Sequence, residues 1–139
     1  MRQAQKEITV ATSGQGLYEI TDALRSFTNA CAIEMGQLTA YCRHTSASLV
    51  IQENADPDVQ RDLVAFFRRL VPDGDPLFVH TMEGPDDMPA HVKSALTQTS
   101  LTIPIMKGHL AFGTWQGLYL FEHRRQPHSR KVVLHVCGV

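Results

Sequence analysis

Cysteine is scarce. Cys31, Cys42 and Cys137 are the only three, and none belongs to a C-x-x-C pair. That excludes a disulfide framework and a cysteine zinc knuckle; Cys42 and Cys137 sit inside apolar runs and read as small core residues. Positive charge is not in excess either: the net charge is -1, so no global basic field exists to hold nucleic acid by counterion release. No run approaches the ~20 apolar residues of a membrane span, and the N-terminus, with Arg2, Lys6 and Glu7, lacks the apolar core of a signal peptide. The reading is a cytoplasmic protein without nucleic-acid or membrane partners. The chain has no P-loop, no G-x-S-x-G elbow and no internal repeat. Its 139 residues fall short of the roughly 250 of a (β/α)₈ barrel. A hydrophobic fraction of 43% excludes intrinsic disorder as the main reading.

What is present suits one domain over residues 1–139. Lys6–Ala11 and Leu17–Ile20 read as short strands, and Thr21 can cap a helix carrying Leu24, Phe27 and Cys31 on one side. Gln37–His44 alternates as a strand, and Leu49–Gln52 extends again after the hydroxyl run Thr45-Ser46-Ala47-Ser48. The strongest local signal is a helix from Pro57 to Val71. Asp56 is a good N-cap, Pro57 suits the first helical position, Val59, Leu63, Phe66, Phe67 and Leu70 form one stripe, and Pro72 and Gly74 stop it. Leu77–His80 predicts a short apolar strand. Pro89–Gln98 predicts a helix with Met88, Val92, Ala95 and Leu96 buried. Leu101–Met106, a long Leu110–Glu122 and Lys131–Cys137 predict strands, the last apolar on both faces and therefore central. This order favours an α+β fold with largely antiparallel sheets in a sandwich-like arrangement and helices packed on one side.

Several clusters carry candidate chemistry. His44 opens onto Thr45, Ser46 and Ser48, whose hydroxyls and turn N–H groups can hold an anionic ligand or simply close a local turn. His44, His80 and His91 are grouped as candidate metal ligands; their spacing matches no short metal motif, so the fold must assemble any shared site. Three neutral imidazoles would favour zinc. Glu83, Asp86 and Asp87 surround a Gly-Pro turn ahead of His91; they can hold a divalent cation, carry acid–base work or cap the following helix. In Gly113-Thr114-Trp115-Gln116-Gly117, strand alternation would put Thr114 and Gln116 on one face, and the glycines permit either a bulge or a close approach to the backbone.

Read together, H-T-S-A-S-L at 44–49, E-N-A-D-P-D-V at 53–59, E-G-P-D-D-M-P-A-H at 83–91, S-L-T-I-P-I at 100–105 and G-T-W-Q-G-L-Y-L at 113–120 resemble the YjbQ family, whose small single-domain members are often labelled secondary thiamine-phosphate synthase. The resemblance implies a YjbQ-like sandwich, a homotrimer and a histidine-rich polar site. It implies catalytic roles for His91, Asp87, Gln116 and Ser46, ligand contacts for Arg130 and Asn54, and metal contacts for His44, His80 and His91. Loop 124–129, Arg-Arg-Gln-Pro-His-Ser, departs from the Gly-Pro-Arg turn of many members.

The activity so implied is a weak transferase that joins phosphorylated precursors. A divalent metal, zinc or magnesium, would assist it, with no organic cofactor and with a small phosphorylated metabolite as partner. In that scheme Trp115 would supply a stacking face. A trimeric metal- or metabolite-binding protein without efficient turnover, and a metal-dependent hydrolase, are the alternatives.

Overall fold

The computed structural model describes residues 1–139. Eight strands form two sheets. The larger has β1 (Arg2–Thr12), β8 (His128–Gly138), β3 (Met35–Cys42), β5 (Ser100–Met106) and β6 (His109–Leu110), in that order; the smaller has β2 (Gly16–Glu19), β7 (Gln116–Glu122) and β4 (Ala47–Glu53). Every pairing is antiparallel. The expected α+β sandwich is present.

Alternation builds the core between the sheets. Val132, Leu134 and Val136 of β8, Leu38 and Ala40 of β3, and Ile103 and Ile105 of β5 face Ala47 and Leu49 of β4 and Leu118 and Leu120 of β7. The helices are α1 (Thr21–Cys31), α2 (Pro57–Leu70) and α3 (Asp87–Leu96). Through Leu24 and Phe27, α1 closes the sandwich. The other face of β7 lies under α2, where Phe67 meets Phe121 edge to face at 5.3 Å and Gln60 donates to the Tyr119 hydroxyl. No helix is long and apolar enough to cross a membrane.

Strand β8 is interior, between β1 and β3, as its composition predicts. Asp56 caps α2 by accepting from the Asp58 N–H, with Pro57 first in the helix. Four expectations need correction. Residues 77–80 form no strand; turns closed by Phe78 N–H to the Asp75 carbonyl and Gly84 N–H to the Thr81 carbonyl hold them instead, because Asp75 takes up the Leu77 and Phe78 N–H groups locally. The single strand 110–122 is two strands in different sheets. The chain leaves β6 after Leu110 and enters β7 at Gln116, crossing between layers through a turn in which Gln116 N–H meets the Gly113 carbonyl. Thr114 therefore shares no strand face with Gln116. Thr21 is the first residue of α1 rather than its cap, which is Ile20. Finally, α3 turns Asp87, Ala90 and Lys93 inward and leaves Ala95 and Leu96 exposed, because Asp87 meets Arg124 beneath the helix and the Asp73 charge favours the Lys93 ammonium there.

Candidate functional site

The loop entering α3 carries the densest polar cluster. Asp87 is buried, and its two carboxylate oxygens have separate tasks. Oδ1 accepts from Arg124 Nη1 at 2.8 Å. Oδ2 faces His80 Nε2 at 2.8 Å and His91 Nε2 at 3.1 Å. The two imidazoles lie 5.6 Å apart between ring centres, and one ligand atom from each of His80, Asp87 and His91 falls within 4.8 Å of the others. Asp87 and His91 share a helix face at i and i+4, while the turn at 81–84 brings His80 over them.

A single guanidinium braces this loop. Arg124 donates through Nε to Asp86 Oδ2 at 3.0 Å and through Nη2 to the Glu83 carbonyl at 2.9 Å, and the Arg125 N–H adds a bond to Asp86 Oδ2 at 2.9 Å. Asp86 is thus an anchor and makes no side-chain cap for α3. Glu83 contributes its carbonyl to Arg124 and does not belong to the His–Asp–His group. Burial pushes the Asp87 carboxyl up, but the His80 hydrogen bond and the charges of His91 and Arg124 outweigh it and hold the group below the ordinary carboxylate value.

Hydrogen bonding dictates the state of His91. Its Nδ1 lies 2.9 Å from the Thr45 carbonyl, an acceptor only, so the Nδ1 proton must be there. In the neutral ring Nε2 is then a bare lone pair aimed at a carboxylate oxygen 3.1 Å away. Two lone-pair atoms at that distance need a proton or a metal cation between them. A backbone carbonyl holding the far N–H is also how metal-ligating histidines are usually oriented.

Beside His91 opens a cleft of about 540 Å³ lined by Tyr41, Arg43, His44, Thr45, Ser94 and Thr99 among others. His44 faces it in a defined form. Its Nε2 accepts the Lys131 N–H at 2.7 Å, so the neutral ring carries its proton on Nδ1. Burial, followed by the nearby Arg130 charge, pushes its pKa down. His44 therefore offers the cleft an N–H donor and no lone pair. The structure brings His80 and His91 together as expected, but the third member of their group is Asp87, not His44.

The other site candidates lie apart. Arg130 is buried and forms an ion pair with Glu122, Nε to Oε1 at 2.8 Å and Nη2 to Oε2 at 2.5 Å; Nη2 also donates to the Ser46 hydroxyl at 3.0 Å. The anion contact expected of Arg130 is corrected accordingly: its charge is already matched. Ser46 serves this pair. Asn54 and Gln116 sit at the opposite end of β4 and β7. There the Asn54 N–H meets the Trp115 carbonyl, Asn54 Nδ2 donates to Glu19 Oε2 at 3.2 Å, and Gln116 Oε1 accepts from the Gly113 N–H at 2.8 Å. A Cβ on Gly117 would stand 2.5 Å from Glu19 Oε2, so this glycine does permit a close approach. Neither Trp115 nor Gln116 lines the cleft beside His91. Arg124 was the residue sequence reasoning missed; its only signal was an unassigned base following Glu122 and His123.

Residues 6–139 match the family described as UPF0047 protein YjbQ-like. A UPF0047 protein of Synechocystis is 50% identical over 99% of this chain and 93% of its own length. The UPF0047 protein YjbQ of Escherichia coli is 41% identical over 96% of this chain and 97% of its own. Among solved structures, an uncharacterised YjbQ/UPF0047 protein of Clostridium acetobutylicum superposes with a TM-score of 0.87 at 32% identity, covering 95% of this chain and 99% of that one. A hypothetical protein of Aeropyrum pernix does so with a TM-score of 0.90 at 28% identity, covering 98% and 99%.

Proposed function

The chain belongs to the UPF0047 YjbQ-like family, and from that premise we propose that it is a metal-dependent protein that binds and acts on a small phosphorylated metabolite beside His80, Asp87 and His91. The observation that carries this reading is the locked tautomer of His91, whose Nδ1–H is engaged by Thr45 while Nε2 faces Asp87 Oδ2. Two imidazoles and one carboxylate are a donor set suited to zinc, and three protein donors leave a position for a ligand. When bound, the ion would act as a Lewis acid toward an oxygen of the metabolite. The chain's own residues do the rest. Arg124 fixes the Asp87 carboxylate, Thr45 fixes the His91 ring, and neutral His44 donates its Nδ1–H to a ligand oxygen in the cleft.

The reaction class implied by the resemblance is group transfer of the thiamine-phosphate synthase type. We propose it as a weak, secondary activity, since Trp115 and Arg130 are absent from the cleft. Metal-assisted hydrolysis is the second reading, favoured by the open position of a three-donor centre. The three free thiols suit the reducing cytoplasm, where we place the protein.

We also propose a homotrimer. Val79 and Met82 are 96% and 98% exposed on the loop that carries His80, and Phe66, Leu70 and Leu96 leave apolar faces of α2 and α3 uncovered. Such a surface fits a subunit contact near the site. Light scattering at micromolar concentration should give the trimer mass; a monomer mass overturns the assembly.

The deciding experiment for the metal is elemental analysis of untagged protein, loaded with zinc and then desalted, followed by an assay for thiamine phosphate formation from the two phosphorylated precursors. Wild type should retain metal, and His91→Ala should lose both metal and activity. Wild type that keeps no metal sinks the proposal.

A further inference from the structure

The outer face of the larger sheet carries no helix. Leu38 and Ala40 of β3, Ile103 and Ile105 of β5, and Val132, Leu134 and Val136 of β8 point into the core, so the residues between them stand outside. One outward rank crosses four strands at the centre: Gln5, His135, Thr39 and Thr102. At the end of the sheet, Met35 stands beside Met106, 70% and 61% exposed.

A solvated sheet face carries polar groups that water serves. Here the polar groups serve one another. Gln5 Nε2 lies 2.8 Å from His135 Nδ1, and the Thr39 and Thr102 hydroxyls meet at 3.2 Å. Arg43 Nη1 donates to Glu7 Oε2 at 2.6 Å, and Lys131 Nζ to the Thr9 hydroxyl at 2.7 Å. Covering such pairs costs little, because each donor keeps its acceptor. From the Gln5 rank to the Met35 end, the outward positions hold no carboxylate, lysine or arginine. The four long strands give this face about 19 Å by about 35 Å, roughly 600–700 Å². A stable interface takes ~800 Å² from each partner.

We propose that a neighbouring copy of this chain covers this sheet face and bounds the cleft beside His91. The proposal rests on the homotrimer put forward above. A closed ring joins two unlike patches of each subunit. The loop with Leu77, Val79 and Met82, all exposed and uncharged, supplies one; the outer sheet face supplies the other. Neither brings a charge that the contact would strand. A nucleic acid would need a basic surface that this face lacks. The face ends at Tyr41 and Arg43, which line the cleft, so a copy seated on it reaches the cleft mouth and the site is complete only in the assembly.

The test places a charge where a monomer would leave it in water and an interface would bury it. Thr39→Arg and Thr102→Arg should each convert the wild-type trimer to monomer in light scattering at micromolar concentration, with an unchanged circular dichroism spectrum. Should Thr39→Arg fail to fold, Thr102→Arg decides, because that residue is exposed in the single chain. Footprinting supplies a second readout. Cys137, in the rank between Gln3 and Gln37, should alkylate more slowly in wild type than in Thr102→Arg, and Tyr41, 49% exposed in the single chain, should nitrate more slowly. A wild-type monomer overturns this inference together with the trimer. A wild-type trimer that folded variants retain overturns this inference alone. So do equal labelling rates at Cys137 or at Tyr41 in a trimeric wild type and a monomeric Thr102→Arg.

Discussion

Arg124 and Asp87 meet at 2.8 Å through Nη1 and Oδ1, and this leaves Oδ2 of Asp87 free for the two histidines. The guanidinium touches neither imidazole, yet it determines where the shared oxygen stands. Arg124→Gln should therefore weaken zinc by about 10–100-fold, the usual effect of losing a group that orients a ligand. Competition against a chromophoric chelator measures it. Unchanged zinc affinity would show that the loop holds Asp87 without Arg124.

His44 and His91 face the same cleft in different roles. Because Nε2 of His44 accepts from the Lys131 N–H, His44→Ala should retain metal at the wild-type ratio while binding of a ligand in the cleft falls. His80→Ala should lose the metal. Metal content that falls in His44→Ala as it does in His80→Ala would return His44 to the ligand set.

His123 is buried against Ser48, 2.8 Å from its hydroxyl, and burial, with the Lys93 charge adding to it, holds the imidazole pKa down to about 3. The unfolded chain takes up this proton near pH 6.5 and the folded chain does not, so the unfolded state binds more protons across the window between. Stability should thus fall as pH drops below 6.5, by ~2 kcal/mol at pH 5. His44, also lowered, acts in the same direction. Carboxylates held below their ordinary values, such as Glu122, add their loss only at lower pH. Urea unfolding at pH 6.5 and pH 5 should show the drop, and His123→Gln should reduce it. Identical slopes in the two proteins would remove His123 as the cause.

The Glu122 carboxylate is fully served inside the sandwich by Arg130, Thr12 and two backbone N–H groups. Arg130→Met leaves it buried and uncompensated, and should cost about 3–5 kcal/mol in chemical denaturation. Combined Glu122→Leu and Arg130→Met should cost far less than the sum of the two single changes. Additive losses would mean the two side chains act independently.

Local patterns in the chain were enough for much of the architecture. Asp56, Pro57 and the stripe from Val59 to Leu70 specify α2 because capping and periodicity act within a few residues. Val132, Leu134 and Val136 alternate within an apolar run and mark β8 as interior. Lys107 and Gly108 turn the chain from β5 into β6 with positive φ at both positions, 52° and 79°, as a two-residue hairpin requires. Asp87 and His91 were legible as members of one polar stretch at the start of a helix; that they share a face at i and i+4 follows from α3 beginning at Asp87 rather than Pro89.

Other features depend on partners far away in sequence. Leu77-Phe78-Val79 has the composition of a strand, but a strand exists only where its backbone bonds a neighbouring strand, and here Asp75 takes up the Leu77 and Phe78 N–H groups instead. Residues 110–122 read as one apolar strand, but the partners of β6 and β7 lie in different sheets. The faces of α3 invert because Asp87 pairs with Arg124 and the Asp73 charge favours the Lys93 ammonium, influences no window of α3 contains. The tautomers of His44 and His91 depend on Lys131 and Thr45, distant by 87 and 46 residues. The sequence by itself thus determined the helices, the interior strands and the polar inventory, which follow from interactions between near neighbours. Only the tertiary structure decided which histidine nitrogen is free and which cations are spent, because those depend on contacts made after the chain has folded.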